Sequence, residues 1–137
     1  MTRHHYLVAL LLAVALVGCR STGDPAPRQA ALDQEVLLAP GERVVFGPPQ
    51  LDVQFVRVSE DSRCPSDVTC VWAGQVKVQL SIRGNAGEAE QHEITAGEGA
   101  TIGELRVAVV QVQPERISTR EISPGEYRVT LQVERLK

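Results

Sequence analysis

Catalysis needs nucleophiles, bases and metal ligands held in mutual reach, and this sequence offers few of them. Its histidines are His4, His5 and His92, and the first two precede an apolar run at the extreme N-terminus. His92 stands alone, among Glu90, Gln91 and Glu93. A Ser or Cys nucleophile needs a base positioned against it. His92 has no such partner legible in the sequence, so no catalytic residue is assigned, an enzyme is not expected, and His92 reads as an exposed strand residue. A blue-copper centre would need two histidines, a free Cys and usually a Met, whereas the sole Met is Met1.

The densest cluster of chemically capable residues runs from Glu60 to Gly74: Glu-Asp-Ser-Arg-Cys-Pro-Ser-Asp-Val-Thr-Cys-Val-Trp-Ala-Gly. Glu60, Asp61 and Asp67 have the hard oxygen ligands that calcium takes. Their spacing fits no calcium loop, so neither metal nor cofactor is assigned. Asp61 is instead expected to accept backbone hydrogen bonds in a turn, with Arg63 as its charge partner. Cys70, Trp72 and Gly74 share parity with Val76 and Val78. An unbulged strand through them points Trp72 into the core; exposure as a binding anchor is the alternative.

The N-terminus reads as an export signal. Arg3, His4 and His5 form a basic head, and Tyr6 to Val17 is an apolar run too short for the roughly 20 residues of a membrane span. Leu16-Val17-Gly18-Cys19 resembles a bacterial lipobox. That resemblance implies a signal peptide over 1–18 and acylation of Cys19, hence a partner in the membrane itself. The residue after the anchor is Arg20 and not Asp, which in Gram-negative lipoproteins implies sorting to the outer membrane, facing the periplasm. Residues 19–31, polar and small with two prolines, read as a flexible tether whose dozen residues would extend to about 40 Å.

Three cysteines in an exported chain leave one unpaired. Acylation of Cys19 accounts for it, and Cys64 and Cys70 remain to form one disulfide in an oxidising compartment. Pro65 fixes its own φ and restricts Cys64, so the loop between the cysteines has little freedom. Pro65, Ser66, Asp67, Val68 and Thr69 are therefore the candidate binding loop, and changes at Asp67 and Val68 are expected to cost little stability. The Asp-Ser-Arg-Cys-Pro stretch, followed by Val68, Cys70, Trp72 and Gly74, resembles a segment of uncharacterised small bacterial lipoproteins and secreted proteins. It covers about fifteen residues strongly, implies a shared β-domain, and implies no activity.

From residue 32 to 137 the dominant hydrophobic period is two, enough chain for one domain of about 100 residues. Val76, Val78, Leu80 and Ile82 alternate with Lys77, Gln79, Ser81 and Arg83; Tyr127, Val129, Leu131 and Val133 alternate with Arg128, Thr130, Gln132 and Glu134. Shorter strands are expected at Val36 to Leu38, Val44 to Phe46, Leu51 to Val58, Glu90 to Thr95 and Leu105 to Val112. A parity switch after Phe55 points to a β-bulge. About seven strands separated by Gly and Pro turns predict an all-β, immunoglobulin-like antiparallel sandwich, with a small β-barrel as the alternative. Ser123-Pro124-Gly125-Glu126-Tyr127 resembles the corner tyrosine of such folds. The stretch from Arg83 to Arg106 has five Glu and no internal Lys or Arg; it reads as a solvated hairpin with Gly97 and Gly99 in a mobile loop, or as a surface for a basic partner or divalent ions.

Hydrophobic residues make up 43% of the chain and charged residues 23%, ordinary for a domain with a core. The net charge of −3 lacks the basic excess of nucleic-acid binders. These features describe an envelope lipoprotein whose β-domain is a non-catalytic binding or structural module for an envelope protein or polymer. The alternative is a protease inhibitor that presents the clamped loop 64–70.

Overall fold

Alternating apolar and polar residues send successive side chains to opposite faces of a strand. The computed structural model describes residues 26–137 and has nine strands there, seven of them built on that period. They are β1 (Arg28–Ala30), β2 (Val36–Leu38), β3 (Arg43–Phe46), β4 (Leu51–Asp61), β5 (Val76–Gly84), β6 (Glu90–Thr95), β7 (Gly99–Ile102), β8 (Leu105–Gln113) and β9 (Arg128–Arg135). A single 3-10 turn, Pro124–Glu126, precedes β9. One sheet has the order β1-β3-β4-β5-β6 and the other β2-β9-β8-β7. Both are open, so the fold is a β-sandwich and not a closed barrel.

Each sheet is largely a meander, and every pairing is antiparallel except β1 on β3. The core fills the space between them with Leu38, Phe46, Phe55, Leu80, Val107, Val109, Leu131 and their neighbours. Burying one such aliphatic or aromatic side chain stabilises by about 1.5–3 kcal/mol. β5 shows the cause most plainly: Val76, Val78, Leu80 and Ile82 are buried while Lys77, Gln79 and Ser81 are half-buried on the outer face. The predicted bulge is present, as the register of β4 against β5 shifts between Phe55 and Arg57 and again between Val58 and Glu60. A comparable shift between Val109 and Gln111 turns Val110 outward and returns Val112 to the core.

Two strands differ from expectation. Arg28–Ala30, assigned from sequence to the tether, pair in parallel with Val44, Val45 and Phe46. Their side chains lack apolar alternation; the strand is held by pairing with β3, by Ala30 against the core and by Arg28, which bonds Leu37 O and Glu42. Gly99 lies in β7 and not in a mobile loop: a Cβ there would stand 2.8 Å from the Val107 carbonyl oxygen, so glycine permits the close pairing. The chain crosses between sheets just before, where Ala96 N–H donates to Val76 O and Gly97 N–H, at φ 87°, donates to Val109 O.

The registers also define two ends of the sandwich. Asp61 lies opposite Val76, and Gln113 lies opposite Arg128. The segments 62–75 and 114–127 that join these strands meet at one end, through the contacts described next.

Candidate functional site

The connection from β4 to β5 is long, and its first rungs continue the ladder beyond the sheet. Ser62 N–H donates to Gln75 O at 2.8 Å, Gln75 N–H donates to the Ser62 hydroxyl at 3.1 Å, and Cys64 N–H donates to Ala73 O at 2.9 Å. Gly74 makes this closeness possible. Its φ is 69°, and a Cβ there would lie 1.8 Å from Ser62 O, a position no other residue could occupy unchanged. Cys64 and Cys70 are disulfide-bonded with Cα atoms 5.9 Å apart, as expected from sequence.

A polar clasp ties the base of this loop to the opposite sheet. Arg63 grips Asp61 with Nε at 2.8 Å from Oδ1 and Nη2 at 2.6 Å from Oδ2. The same guanidinium reaches across to Val112 O at 2.9 Å and Pro114 O at 3.0 Å. Arg63 N–H also bonds Asp61 Oδ1 at 3.3 Å, so the turn and charge-partner roles expected for Asp61 both hold. Tyr127 completes the clasp, its hydroxyl donating to Asp61 Oδ2 at 3.0 Å. That is a bond from one sheet to the other, unlike the local backbone bond of a corner tyrosine.

The electrostatics follow from these contacts. Partial burial alone would raise the Asp61 carboxyl, but the bonds from Arg63 and Tyr127 outweigh it and hold it below the ordinary value. Burial, with the negative Asp61 beside it, pushes the Tyr127 hydroxyl up to about 12. Glu60 takes no part. It pairs with Lys77 at 3.0 Å, and this lysine holds its carboxyl low.

The candidate loop residues divide into two groups. Ser66 and Asp67 are turned to the neighbouring segment: Ser66 N–H donates to Arg116 O at 2.9 Å, and the Asp67 carboxylate accepts Ser118 N–H at 2.8 Å and the Ser118 hydroxyl at 2.6 Å. Those bonds lower the Asp67 carboxyl. Asp67 thus ties the loop to segment 114–120, a contact the sequence did not show, and its replacement should remove two hydrogen bonds to Ser118. Arg116 returns a bond from Nη1 to Arg63 O at 2.9 Å. Pro65 is half-buried, while Val68 and Thr69 are exposed.

Trp72 departs furthest from expectation. It is 82% exposed, and Val71 beside it is 90% exposed. Parity misplaced it because β5 begins only at Val76 and the left-handed Gly74 interrupts the alternation between the two. Val68 and Ile117 are also exposed apolar residues of these two joined segments. Sequence reasoning missed Arg116, Ile117 and Ser118, since segment 114–120 has no hydrophobic period and its role lies in contacts about fifty residues away.

His92 is half-buried and not exposed. It lies opposite Leu80 on the core-facing side of the edge strand β6, with Nε2 3.6 Å from Glu90. Glu93 joins Ser59 at 2.8 Å and approaches Lys77 at 3.8 Å, so part of the acidic stretch is neutralised within the sheet. Cys19, the signal peptide and most of the expected tether lie outside the described residues.

No family model, curated protein or solved structure matches this chain. The site is therefore characterised by its geometry: a stapled loop, pinned at its base and flank by hydrogen bonds, with an apolar tip in solvent.

Proposed function

We propose that this chain is a lipoprotein of the bacterial envelope, anchored through Cys19 to the outer membrane and facing the periplasm, whose sandwich is a non-catalytic binding module. The observation that carries the binding role is the exposure of Val71 and Trp72 between the disulfide at Cys70 and Ala73, whose carbonyl accepts the Cys64 N–H, so the chain is held on both sides of them. Tryptophan is enriched among the residues that dominate interface energies, and a loop already ordered loses less entropy on contact. The lipobox-like tetrad and the Asp-Ser-Arg-Cys-Pro segment support the lipoprotein part. An inhibitory loop would have to lie extended in a protease cleft, whereas Pro65 to Val68 form a turn pinned to Arg116 and Ser118; the geometry favours the binding module.

A photocrosslinking residue in place of Val71, in the full-length chain in intact cells, tests this. It should form adducts with an envelope component, whereas the same residue in place of Gln79 on the outer face of β5 should form far fewer. Equal labelling from the two positions, or none from 71, overturns the binding role.

A further inference from the structure

We infer that Val71 and Trp72 insert into the lipid interface of the same bilayer that carries the anchor, making the stapled loop a second membrane contact. The inference rests on the reading of Cys19 as lipidated and names the component that the apolar tip meets.

The direction of the chain carries the argument. Arg28 pairs with Val44, and Val44 pairs with Val53, so the start of β1 lies level with Val53 of β4. β1 runs parallel to β3 and hence opposite to β4. The chain therefore enters β1 from the Asp61 side of Val53, where Ala26 and Pro27 lie beside Gly41, Glu42 and Gln54, and the stapled loop stands at that end of β4. Val53 lies opposite Ile82, and the nine steps from there back to Ala73, bonded to Cys64 and next to Trp72, span about 30 Å at strand spacing. Nine residue steps separate Arg28 from Cys19, and they reach at most about 30 Å. With the long axis of the domain along this line, Val71 and Trp72 stand about level with the lipid even at full reach. Any shorter path presses them into the bilayer.

The chemistry of this end matches a lipid interface. Of the seven large apolar residues exposed among the described residues, Val68, Val71, Trp72 and Ile117 belong to the two segments joined there. Tryptophan favours the headgroup level, where its ring is apolar and its N–H remains wet. Asp67, the carboxylate nearest the tip in sequence, is turned onto Ser118. An acyl anchor and an inserted tip are two signals acting together, and the tip fixes the orientation that the anchor alone leaves free.

Trp72 is the only tryptophan in the chain, so it reports its own surroundings. The full mature protein is reconstituted on vesicles of phosphatidylethanolamine and phosphatidylglycerol whose acyl chains carry bromine at defined depths. Trp72 emission should shift to shorter wavelength and be quenched, more by bromine near the headgroups than at the chain ends. Val71→Asp should lose most of the quenching while the protein still floats with the vesicles. Flotation with water-like, unquenched emission from the parent protein overturns the inference and leaves the anchor standing, as it would if the tip docks on a protein. Failure to float overturns the anchor reading, and the inference with it.

Discussion

Tyr127 and Asp61 make the fold sensitive to pH from both sides. The Asp61 carboxyl lies below its ordinary value of 3.8, so its contribution is complete above that value and is lost as pH falls through the lowered one. Tyr127 is raised from 10.0 to about 12; the fold favours its neutral form, and that contribution is complete below pH 10 and disappears between about pH 10 and 12. Tyr127→Phe should cost about 1 kcal/mol near neutral pH, the loss of one hydrogen bond, and should flatten the alkaline fall in melting temperature. An unchanged alkaline limb in that variant would refute the role given to the hydroxyl. Trp72→Ala should change stability by under about 0.5 kcal/mol because the ring contacts mainly solvent; calorimetry of the two proteins decides it. The pairing of Asp61 with Arg63 was legible because a turn acceptor two residues before a cation suffices to suggest it. The third member was not, since Tyr127 reaches Asp61 only after both sheets have formed.

At the scale of elements, the staple and the glycine behind it divide the work of shaping the loop. Replacing both Cys64 and Cys70 by Ser opens a loop of about seven residues and should cost roughly 2 kcal/mol, read from denaturant midpoints. Gly74→Ala should cost more than about 2 kcal/mol, because a left-handed φ penalty adds to a clash with the Ser62 backbone. If Gly74→Ala proves milder than loss of the disulfide, the two-rung ladder below the staple is not what holds the loop. Seven of the nine strands were legible from the period of two, and so was the bulge after Phe55, because a buried face punishes any slip in parity. β1 and β7 were not: they are edge strands of three and four residues, Arg-Gln-Ala and Gly-Ala-Thr-Ile, too short for the period to show, although Ala30, Ala100 and Ile102 pack against the core.

At the scale of the whole molecule, the sandwich has a core of its own, and the proposed anchor at Cys19 would add attachment without adding to that core. Leu38, Val129 and Leu131 pack the second strand against the last, and Gln132 donates to Asp33 O across nearly the full length of the folded chain. The start of the domain is thus fastened to its end, and folding should not depend on the lipid. Cys19→Ala should therefore move the protein from the membrane fraction to the soluble one, or stall its maturation, with the melting temperature of the exported domain unchanged. Unaltered processing and full retention in the membrane pellet would refute acylation at Cys19, because an exposed Val-Trp pair and a few polar contacts give far weaker attachment than two or three acyl chains. A partial retention that disappears when Trp72→Ala is added has a different meaning. Anchor and tip would then be separable contributions to one attachment, the lipid supplying the affinity and the stapled loop the orientation.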